Sequence, residues 1–285
     1  MESTESRQGF EPQPADSAGR GRELFDEQAA SFEERAGLPS SVCPLIARRV
    51  VEIGEVRPGE LVVEIGPGTG QIGQWFKQPT RYAGLDLSAG MLREFKEHLQ
   101  DQNGDKLVIR ADAGARWPLA GKVARVVFSS RAVHLLSEEH VVSEVLRVAA
   151  PARATLIIGR VERSHESIRA RMSREMNERL RQHGFEGRRG EQRKRRLFEL
   201  FRMRGAEILE PLVVARWSVS SSPRQSLDSW RSHARLGGLS VPAATRDEIL
   251  QELEEWAVET FGGLDRHFES EETYVLSSLR VVPAH

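Results

Sequence analysis

The segment Leu61–Gly73, which reads LVVEIGPGTGQIG, constrains the fold of this chain more than any other stretch. Its first three residues are apolar and mostly β-branched, which favours a strand buried on both faces. Glu64 places a carboxylate at the end of that strand, and Gly66, Gly68 and Gly70 follow at alternating positions. Glycines in such a turn let the backbone approach a ligand closely, because no Cβ intervenes. The strand, the glycine turn and the helix expected after it predict the opening unit of an α/β sheet, with a ligand at the carboxyl ends of its strands.

Two kinds of nucleotide ligand fit this turn. Gly68, Gly70 and Gly73 satisfy the G-x-G-x-x-G spacing of dinucleotide-binding sheets. Glu64 favours the other kind, because a carboxylate attracts the ammonium of an amino acid and repels a pyrophosphate. The pattern E-x-G-x-G-x-G after an apolar strand resembles the first motif of class I S-adenosylmethionine-dependent methyltransferases, which implies S-adenosylmethionine as the cofactor. An NAD-dependent oxidoreductase, or a tight turn without a ligand, is the alternative.

Composition limits the class of protein. The chain has 285 residues, of which 39% are apolar and 29% charged, and its formal net charge is -1. These values predict a globular protein with no overall attraction to nucleic acid or acidic membranes. Cys43 is the single cysteine, which excludes an internal disulfide and a multi-cysteine metal site, and no metal is expected. No apolar run approaches the roughly 20 residues of a membrane helix, and no signal peptide is recognisable, so a cytoplasmic location is expected.

The resemblance continues after the next two predicted strands. Asp86 ends a strand about 20 residues beyond the glycine turn, where Rossmann-like folds place a carboxylate against the ribose hydroxyls. The run LDLSAGML resembles the second motif of the family, and the resemblance implies that Leu87 and Met91 flank the adenine. It also implies that Asp112 and the amide of Ala113 recognise the adenine edge, because an acceptor beside a donor matches its amino group and ring nitrogen. A helix-start acid at Asp86 and a turn-forming acid at Asp112 are the plainer interpretations.

The segment Ser129–Leu136 follows the fourth predicted strand, where the chain of the resembling family passes the reactive methyl group. The resemblance implies that the Ser129 backbone meets the amino end of the cofactor and that His134 faces the substrate. A histidine with a pKa of about 6.5 can take a proton from a methyl acceptor, although a packing role bonded to backbone is the alternative. Arg131 in the same segment is a candidate substrate contact. The other substrate candidates, each with core packing or solvent exposure as its alternative, are Phe25, Arg35 and Met172.

Four regions are predicted along the chain. Residues 1–21 are polar and predict a disordered tail, and residues 22–285 form the domain that resembles the methyltransferases. Within that domain, residues 22–56 are expected to be N-terminal lid helices, and residues 162–205 a helical cover inserted between the fifth and sixth strands. The cover carries the basic run Arg193–Arg196, which we interpret as a solvated helix face offset by neighbouring acids, with an RNA-binding surface as the alternative.

The order of the predicted elements implies a Rossmann-like α/β three-layer sandwich. Its seven-stranded sheet is mostly parallel, with an antiparallel last strand. The Pro-Gly-Gly turn typical of the family is missing after Pro151, which changes a turn but not the cofactor segments. No Asn-Pro-Pro-Tyr-like tetrad follows the fourth strand, which disfavours nucleic acid and protein as acceptors. The expected function is in-line methyl transfer to an oxygen, nitrogen or carbon nucleophile of a small-molecule metabolite. No membrane partner is expected, and the acceptor and the oligomeric state are left open.

Overall fold

Eight strands form one mixed sheet in the computed structural model, which describes residues 38–99, 106–151, 153–186, 190–233 and 235–282. The sheet order is β3-β2-β1-β4-β5-β8-β6, and β7 also pairs with β8. Strands β1 to β5 run parallel to one another, whereas β8 is antiparallel to β5, β6 and β7. The strands are β1 (Leu61–Ile65), β2 (Arg81–Asp86), β3 (Lys106–Arg110), β4 (Ala124–Ser130), β5 (Ala154–Arg163), β6 (Glu207–Ile208), β7 (Leu212–Ser221) and β8 (Phe268–Val281).

Helices cover both faces of this sheet. Side chains of a buried strand alternate between the two faces, so neighbouring residues pack in different apolar cores. Val62 packs in the core that includes α1 and α2, and Val63 packs in the core that includes α3 and α5. This arrangement confirms the predicted Rossmann-like sandwich with a mostly parallel sheet. The α-helices of the described residues are α1 (Cys43–Ile53), α2 (Ala89–Leu99), α3 (Glu138–Val148), α4 (Ile168–Gln182), α5 (Gly190–Arg202), α6 (Pro223–Arg231) and α7 (Ala243–Phe261).

The helix predicted after the glycine turn does not form. Only a 3₁₀ turn, Gly73–Trp75, is present, and Phe76 leaves it in an extended conformation. The ten residues 71–80 are all that separate the glycine turn from β2, and they must also supply the connection into that strand. This is too short for an ordinary helix with its two connections. The glycine turn therefore lacks the long helix whose N-terminus binds pyrophosphate in dinucleotide folds.

The sequence predicts that residues 206–219 form the sixth strand, and the structure divides this region into β6 and β7. Pro211 lies between them and has no N–H to donate to a sheet ladder. The break leaves both pieces paired with β8, which begins at Phe268 and is longer than the predicted last strand. Counted as one interrupted strand, β6 and β7 complete the predicted antiparallel ending of the sheet.

The region predicted as one helical cover divides into two parts. Helix α4 packs against α6 and α7, which lie between β7 and β8 in the chain, and together they form a third apolar core. Helix α5 packs instead on α3, beside the main sheet. Met172 is 0% exposed inside the third core, so the expectation of a substrate contact is corrected to a packing role. The side chain has no surface to offer a ligand.

The helices next to β7 differ in how they begin. Ser222 and Gln225 form a reciprocal capping box at the start of α6, as expected from the Ser-Ser-Pro sequence. The sequence also predicts a capping box of Thr245 with Glu248, but this box is absent because α7 starts earlier, at Ala243, after Pro242. Thr245 therefore lies within the first turn of the helix.

Candidate functional site

Glu64 lies at the carboxyl end of β1 and is only 1% exposed. The hydroxyl of Tyr82, on the adjacent strand β2, donates to Glu64 Oε2 at 2.6 Å. Burial raises the pKa of Glu64 to about 7; the charge of Asp86 adds to the rise, and the Tyr82 hydroxyl and the Arg131 guanidinium oppose it. Near neutral pH this carboxyl group can therefore gain or lose a proton when a charged ligand arrives.

The glycine turn is held open by its backbone conformation. Gly66, Gly68 and Gly70 all have left-handed φ angles, of 70°, 58° and 82°. A Cβ on Gly66 would overlap the side chain of Ala132, and a Cβ on Gly70 would overlap the ring of Phe95. Packing inside the protein therefore requires glycine at positions 66 and 70, in addition to the course of the turn. The sequence alone did not reveal this packing requirement.

Asp86 joins the glycine turn to the end of β2. Its Oδ2 accepts from the amide of Gly68 at 2.9 Å, and its Oδ1 accepts from the amide of Ser88 at 2.9 Å. Its backbone carbonyl accepts from the amide of Ala111, just beyond β3, at 2.9 Å. One residue therefore fixes the relative positions of three loops at the carboxyl edge of the sheet.

The loop after β3 presents Asp112 and Ala113. Asp112 is exposed, and its Oδ1 accepts from the amide of Gly114 at 2.8 Å. The carbonyl of Ala113 accepts from Trp117 Nε1 at 2.9 Å and lies 3.0 Å from Nε2 of His140, on α3. These contacts fix the loop that carries the predicted adenine contacts, while the Asp112 side chain stays accessible to a ligand.

The remaining predicted cofactor contacts lie at the same edge. Leu87 is half-buried, and Met91 is 2% exposed at the start of α2, where its amide donates to Ser88 Oγ at 3.2 Å. The hydroxyl of Ser129 donates to the carbonyl of Ile65 at 2.8 Å and fastens the end of β4 to the end of β1. The Ser129 side chain is thus engaged within the protein, so its predicted cofactor contact would use the backbone.

Arg131 follows β4 in a left-handed conformation with φ of 66°, which is costly for a residue with a side chain. Burial lowers the pKa of its guanidinium, whereas the neighbouring Tyr274 and Glu64 raise it. A guanidinium remains charged throughout the physiological range. The structure therefore holds a positive charge in a largely enclosed place next to the Glu64 carboxylate.

A cavity of about 210 Å³ opens beside this arginine. It lies between the turn after β4, the distal part of β5 and the first half of α5, on the side of the sheet that α3 and α5 cover. Its wall includes two of the predicted substrate-facing residues, His134 and Arg131. The other residues that line it are Val133, Glu138, Ile158, Gly159, Arg160, Arg193, Lys194 and Leu197.

Arg193 holds the turn that carries His134. Its Nη1 donates to the carbonyl of His134 at 2.8 Å, and its Nη2 donates to the carbonyl of Leu136 at 2.8 Å. Its Nε donates to Glu138 Oε1 at 2.7 Å. Helix α5 therefore fixes the position of the candidate base through a contact for which the local sequence carries no signal.

The basic run is partly neutralised by acids of α3, as the sequence interpretation expected. Arg193 pairs with Glu138, and Arg196 pairs with Glu139 at 2.5 Å. Lys194 lines the cavity, whereas Arg195 is exposed outside it. The four residues thus face different surroundings and do not form one continuous cationic face.

Two substrate candidates, Phe25 and Arg35, lie outside the described residues, as do the tail over residues 1–21 and residues 22–37 of the predicted lid over residues 22–56. The part of the lid within the described ranges is α1 and the 3₁₀ turn Ser40–Val42 before it.

A cluster of residue types that bind metals lies where the C-terminal end of α4 meets α7. His183 lies 3.4 Å from Glu252 and 3.9 Å from Glu248, and these three residues could offer ligand atoms to one ion. Arg179 also pairs with Glu252 at 3.5 Å. Ion pairing between α4 and α7 accounts for the arrangement, and the sequence prediction included no metal.

Sequence reasoning missed three residues of this region: Tyr82, Arg160 and Arg193. The sequence did carry a signal for Tyr82. In the parallel pairing of β1 and β2, Gly84 lies opposite Glu64, and Tyr82 lies two positions before Gly84. The side chains of Tyr82 and Glu64 are therefore on the same face of the sheet. Arg160 was missed because the sequence predicts that β5 ends at Gly159, whereas the strand continues to Arg163. Arg193 had no local signal, since its contacts lie more than fifty positions away in the chain.

Comparison with known families gives one match within the chain. Residues 62–152 match the family model of a methyltransferase domain. The matched range holds the glycine turn, Asp86, Asp112 and His134. It confirms the resemblance inferred from the motifs, and S-adenosylmethionine, the predicted cofactor, is the cofactor of this domain family. No curated protein sequence matches the chain.

Solved structures share the fold at low sequence identity. A Bacillus halodurans protein provisionally described as a methyltransferase is 15% identical, with a TM-score of 0.53 over 84% of this chain and 99% of that one. The YcgJ protein of Bacillus subtilis is 14% identical, with a TM-score of 0.52 over 84% and 98%. The [4+2]-cyclase SpnF is 16% identical, with a TM-score of 0.56 over 95% and 99%.

Across the ranges that the structure describes, no helix has both the length and the apolar character needed to cross a bilayer.

Proposed function

We propose that this chain, whose residues 62–152 match a methyltransferase domain, transfers a methyl group from S-adenosylmethionine to an oxygen, nitrogen or carbon nucleophile of a small-molecule metabolite. The observation that carries the proposal is the pair of hydrogen bonds that the Asp86 carboxylate accepts from the amides of Gly68 and Ser88. They bring the acid after β2 against the glycine turn, where one ligand can contact both. The buried Cys43 is consistent with a reducing, cytoplasmic location, which is part of the same proposal.

The acids at this edge fit the chemistry of the cofactor. Glu64, Asp86 and Asp112 offer carboxylate acceptors, and the cofactor offers an ammonium, two ribose hydroxyls and an adenine amino group, all of them donors. In this proposal Glu64 attracts the ammonium, Asp86 accepts from the ribose and Asp112 accepts from the adenine. The absence of side chains at Gly66, Gly68 and Gly70 lets the protein backbone approach the cofactor closely. Leu87 and Met91 flank the adenine. Backbone groups of Ala113 and Ser129 make the remaining contacts.

The residues after β4 supply the remaining functions. When bound, the cofactor supplies an electrophilic methyl group on a sulfonium. His134, on the cavity wall, accepts a proton from the acceptor where that acceptor is a hydroxyl, an amine or an acidic carbon. Arg131 contacts the substrate, and the enclosing α5 excludes water and orients the reactants in line.

Binding measurements separate this proposal from the oxidoreductase alternative. We expect S-adenosylhomocysteine to bind in isothermal titration calorimetry and NAD not to bind. The variant Asp86→Ala should weaken S-adenosylhomocysteine at least tenfold, because about two charge-assisted hydrogen bonds to the ribose are lost. Tight binding of NAD without binding of S-adenosylhomocysteine would contradict the proposal.

Cofactor binding alone does not establish methyl transfer. The fold is shared with a protein named for a [4+2] cyclisation, and one fold can host unrelated reactions. The decisive measurement is therefore the formation of a methylated product together with S-adenosylhomocysteine, followed by mass spectrometry with methyl-labelled cofactor and a metabolite extract. An enzyme that binds the cofactor but never consumes it in the presence of any acceptor would refute the assignment.

A further inference from the structure

The wall of the cavity beside His134 carries more cationic than anionic side chains. Three arginines and one lysine line it, against the single carboxylate of Glu138. A second carboxylate, Glu162, pairs with Arg160 from outside the lining. The cationic lining residues are Arg131, Arg160, Arg193 and Lys194.

These cations serve different purposes. Arg193 is engaged by Glu138 and by two backbone carbonyls, so its main role is to position the turn after β4. Arg160 pairs with Glu162 at 2.8 Å, and its guanidinium carries five N–H donors in a planar fork. Lys194 lies one position after Arg193 and brings a compact charge to the same wall. Arg160 and Lys194 therefore present positive charge from opposite elements, β5 and α5.

The rest of the lining is apolar. Val133, Ile158 and Leu197 come from the turn after β4, from β5 and from α5, and Gly159 adds a wall without a side chain. The volume of about 210 Å³ is below the roughly 300–1,000 Å³ of sites for drug-sized ligands, so the cavity suits a small molecule. A ligand that fits such a wall has a small apolar body and a charged group.

The cavity adjoins the proposed cofactor edge through Arg131. This residue lines the cavity, and its guanidinium is close enough to Glu64 for each charge to shift the pKa of the other group. Desolvated positive charge is costly unless an anion approaches it. The wall of the cavity is thus prepared for a negatively charged molecule next to the site proposed for the methyl group.

We propose that this cavity binds the methyl acceptor and that the acceptor is a small anion, with a carboxylate or phosphate group held by Arg160 and Lys194 and an apolar body against Ile158 and Leu197. The inference rests on the proposed function, because it names the substrate class of the same site. The anionic group orients the molecule and leaves the nucleophilic atom facing Arg131 and His134.

Four matched fluorinated probes test the charge preference in the full chain by ¹⁹F NMR titration, with and without S-adenosylhomocysteine. They are 4-fluorobenzoate, 4-fluorophenyl phosphate, 4-fluorobenzamide and 4-fluorobenzylamine. The amide has nearly the shape of the carboxylate but no charge, and the amine reverses the charge. We expect one or both anions to bind and the amide and amine to bind at least tenfold more weakly. Comparison of the two anions distinguishes a carboxylate acceptor from a phosphate acceptor.

Two variants and a matched control locate the binding. Lys194→Gln and Arg160→Gln should each weaken 4-fluorobenzoate about tenfold, because each removes a charge-assisted contact. Arg195→Gln removes the same charge from the next position of α5, outside the cavity, and should leave binding unchanged. Arg160→Gln is read alone if Lys194→Gln does not fold.

Several outcomes would overturn the inference. These are equal binding of the amide and the carboxylate, tighter binding of the amine, no saturable shift with either anion, or unchanged 4-fluorobenzoate affinity in both cavity variants. Failure of the proposed function gives a different result. In that case S-adenosylhomocysteine does not bind to the wild-type chain, and the titrations without it still decide the charge preference of the cavity.

Discussion

Tyr82 donates its hydroxyl to Glu64 Oε2 at 2.6 Å across the adjacent parallel strands β1 and β2. Both side chains are almost fully buried, and the hydrogen bond favours the ionised form of the carboxyl group. Burial outweighs that preference and raises the pKa of Glu64 to about 7. The acid proposed to attract the cofactor ammonium therefore titrates near neutral pH in the cofactor-free protein.

The affinity for S-adenosylhomocysteine should consequently depend on pH. An ammonium ligand selects the ionised Glu64, so binding releases a proton, and affinity should fall about tenfold between about pH 8 and about pH 6. Calorimetry in buffers of different ionisation enthalpy measures both the affinity and the proton release. The variant Glu64→Gln should bind more weakly with a flatter pH dependence. A wild-type affinity that is constant over this range would contradict the proposed role of Glu64.

Stability should follow the opposite trend. The folded-state pKa of Glu64 is raised from its ordinary value of 4.5, so between these values the folded protein holds a proton that the unfolded chain releases. The contribution of Glu64 to stability is therefore most favourable below about pH 4.5 and falls as pH rises towards about 7. Tyr82→Phe removes a bond that favours the ionised form, so the fall should extend to higher pH.

Urea unfolding at several pH values checks this prediction. The control is the double variant Glu64→Gln, Tyr82→Phe, which lacks the titrating group and should lose this part of the pH dependence. If Tyr82→Phe and the wild type show the same pH profile, the hydrogen bond does not influence the ionisation of Glu64.

Asp112 should matter for the ligand and not for the fold. It is exposed, and the one described hydrogen bond of its side chain closes a local turn with Gly114, so Asp112→Ala should change the free energy of unfolding by no more than about 0.5 kcal/mol. The affinity of the Asp112→Ala variant for S-adenosylhomocysteine should be about tenfold lower than that of the wild type, because a hydrogen bond to the adenine amino group is lost.

S-inosylhomocysteine provides the matched ligand for Asp112, since it carries a carbonyl in place of the amino group. The wild type should prefer the adenosyl ligand, and Asp112→Ala should lose most of that preference, as measured by calorimetry in a double-mutant cycle. An undiminished preference in the variant would place adenine recognition elsewhere.

Gly70 and Gly59 form a matched pair for separating packing from backbone strain. Both have left-handed φ angles, 82° and 81°, but a Cβ on Gly70 would overlap the Phe95 ring, whereas a Cβ on Gly59 meets no heavy atom within 4 Å. Gly59→Ala should cost about 1–2 kcal/mol from the backbone alone. Gly70→Ala should cost about 1–3 kcal/mol more, through overpacking against Phe95. Equal losses in urea unfolding would mean that the Phe95 ring yields without cost.

Arg193 should stabilise the junction of α5 with the turn after β4. Its side chain is 40% exposed, which weakens the ion pair with Glu138, but the two hydrogen bonds to carbonyls remain. Arg193→Ala should therefore cost about 1–2 kcal/mol in the free energy of unfolding. Arg195→Ala, an exposed neighbour in the same helix, is the control and should change stability by less than about 0.5 kcal/mol. Similar effects of the two substitutions would indicate that the contacts of Arg193 are not specific.

Much of the fold could be predicted from local patterns. The sequence predicts a helix over Glu138–Val148, and α3 has the same bounds. Its apolar periodicity and its Ser137 cap are both local features of the sequence, so no distant contact is needed to recognise them. Apolar periodicity also predicts a helical stripe of Ile168, Met172, Met176 and Leu180, and these are the buried residues of α4, but the partner of that stripe was not predicted. Met172 faces α6 and α7 rather than a ligand, because those helices arrive from a part of the chain more than fifty residues away.

The errors near the glycine turn have a similar origin. Apolar residues after the turn suggested a helix, yet the distance to β2 along the chain leaves room for only a 3₁₀ turn. The glycines were interpreted through a ligand, whereas the structure adds the packing demands of Ala132 and Phe95. Spacing between motifs thus carried information that residue preference alone did not.

The sequence by itself determined the order of the strands and helices, the glycine turn and the acids that follow β1, β2 and β3, because strand alternation, helix periodicity and turn chemistry act over a few residues. Only the tertiary structure decided that Tyr82 bonds Glu64, that Arg193 holds the turn of His134, and that Arg160 and Lys194 share one cavity wall. These contacts depend on strand register and helix packing, which join distant parts of the chain and leave no trace in any short segment.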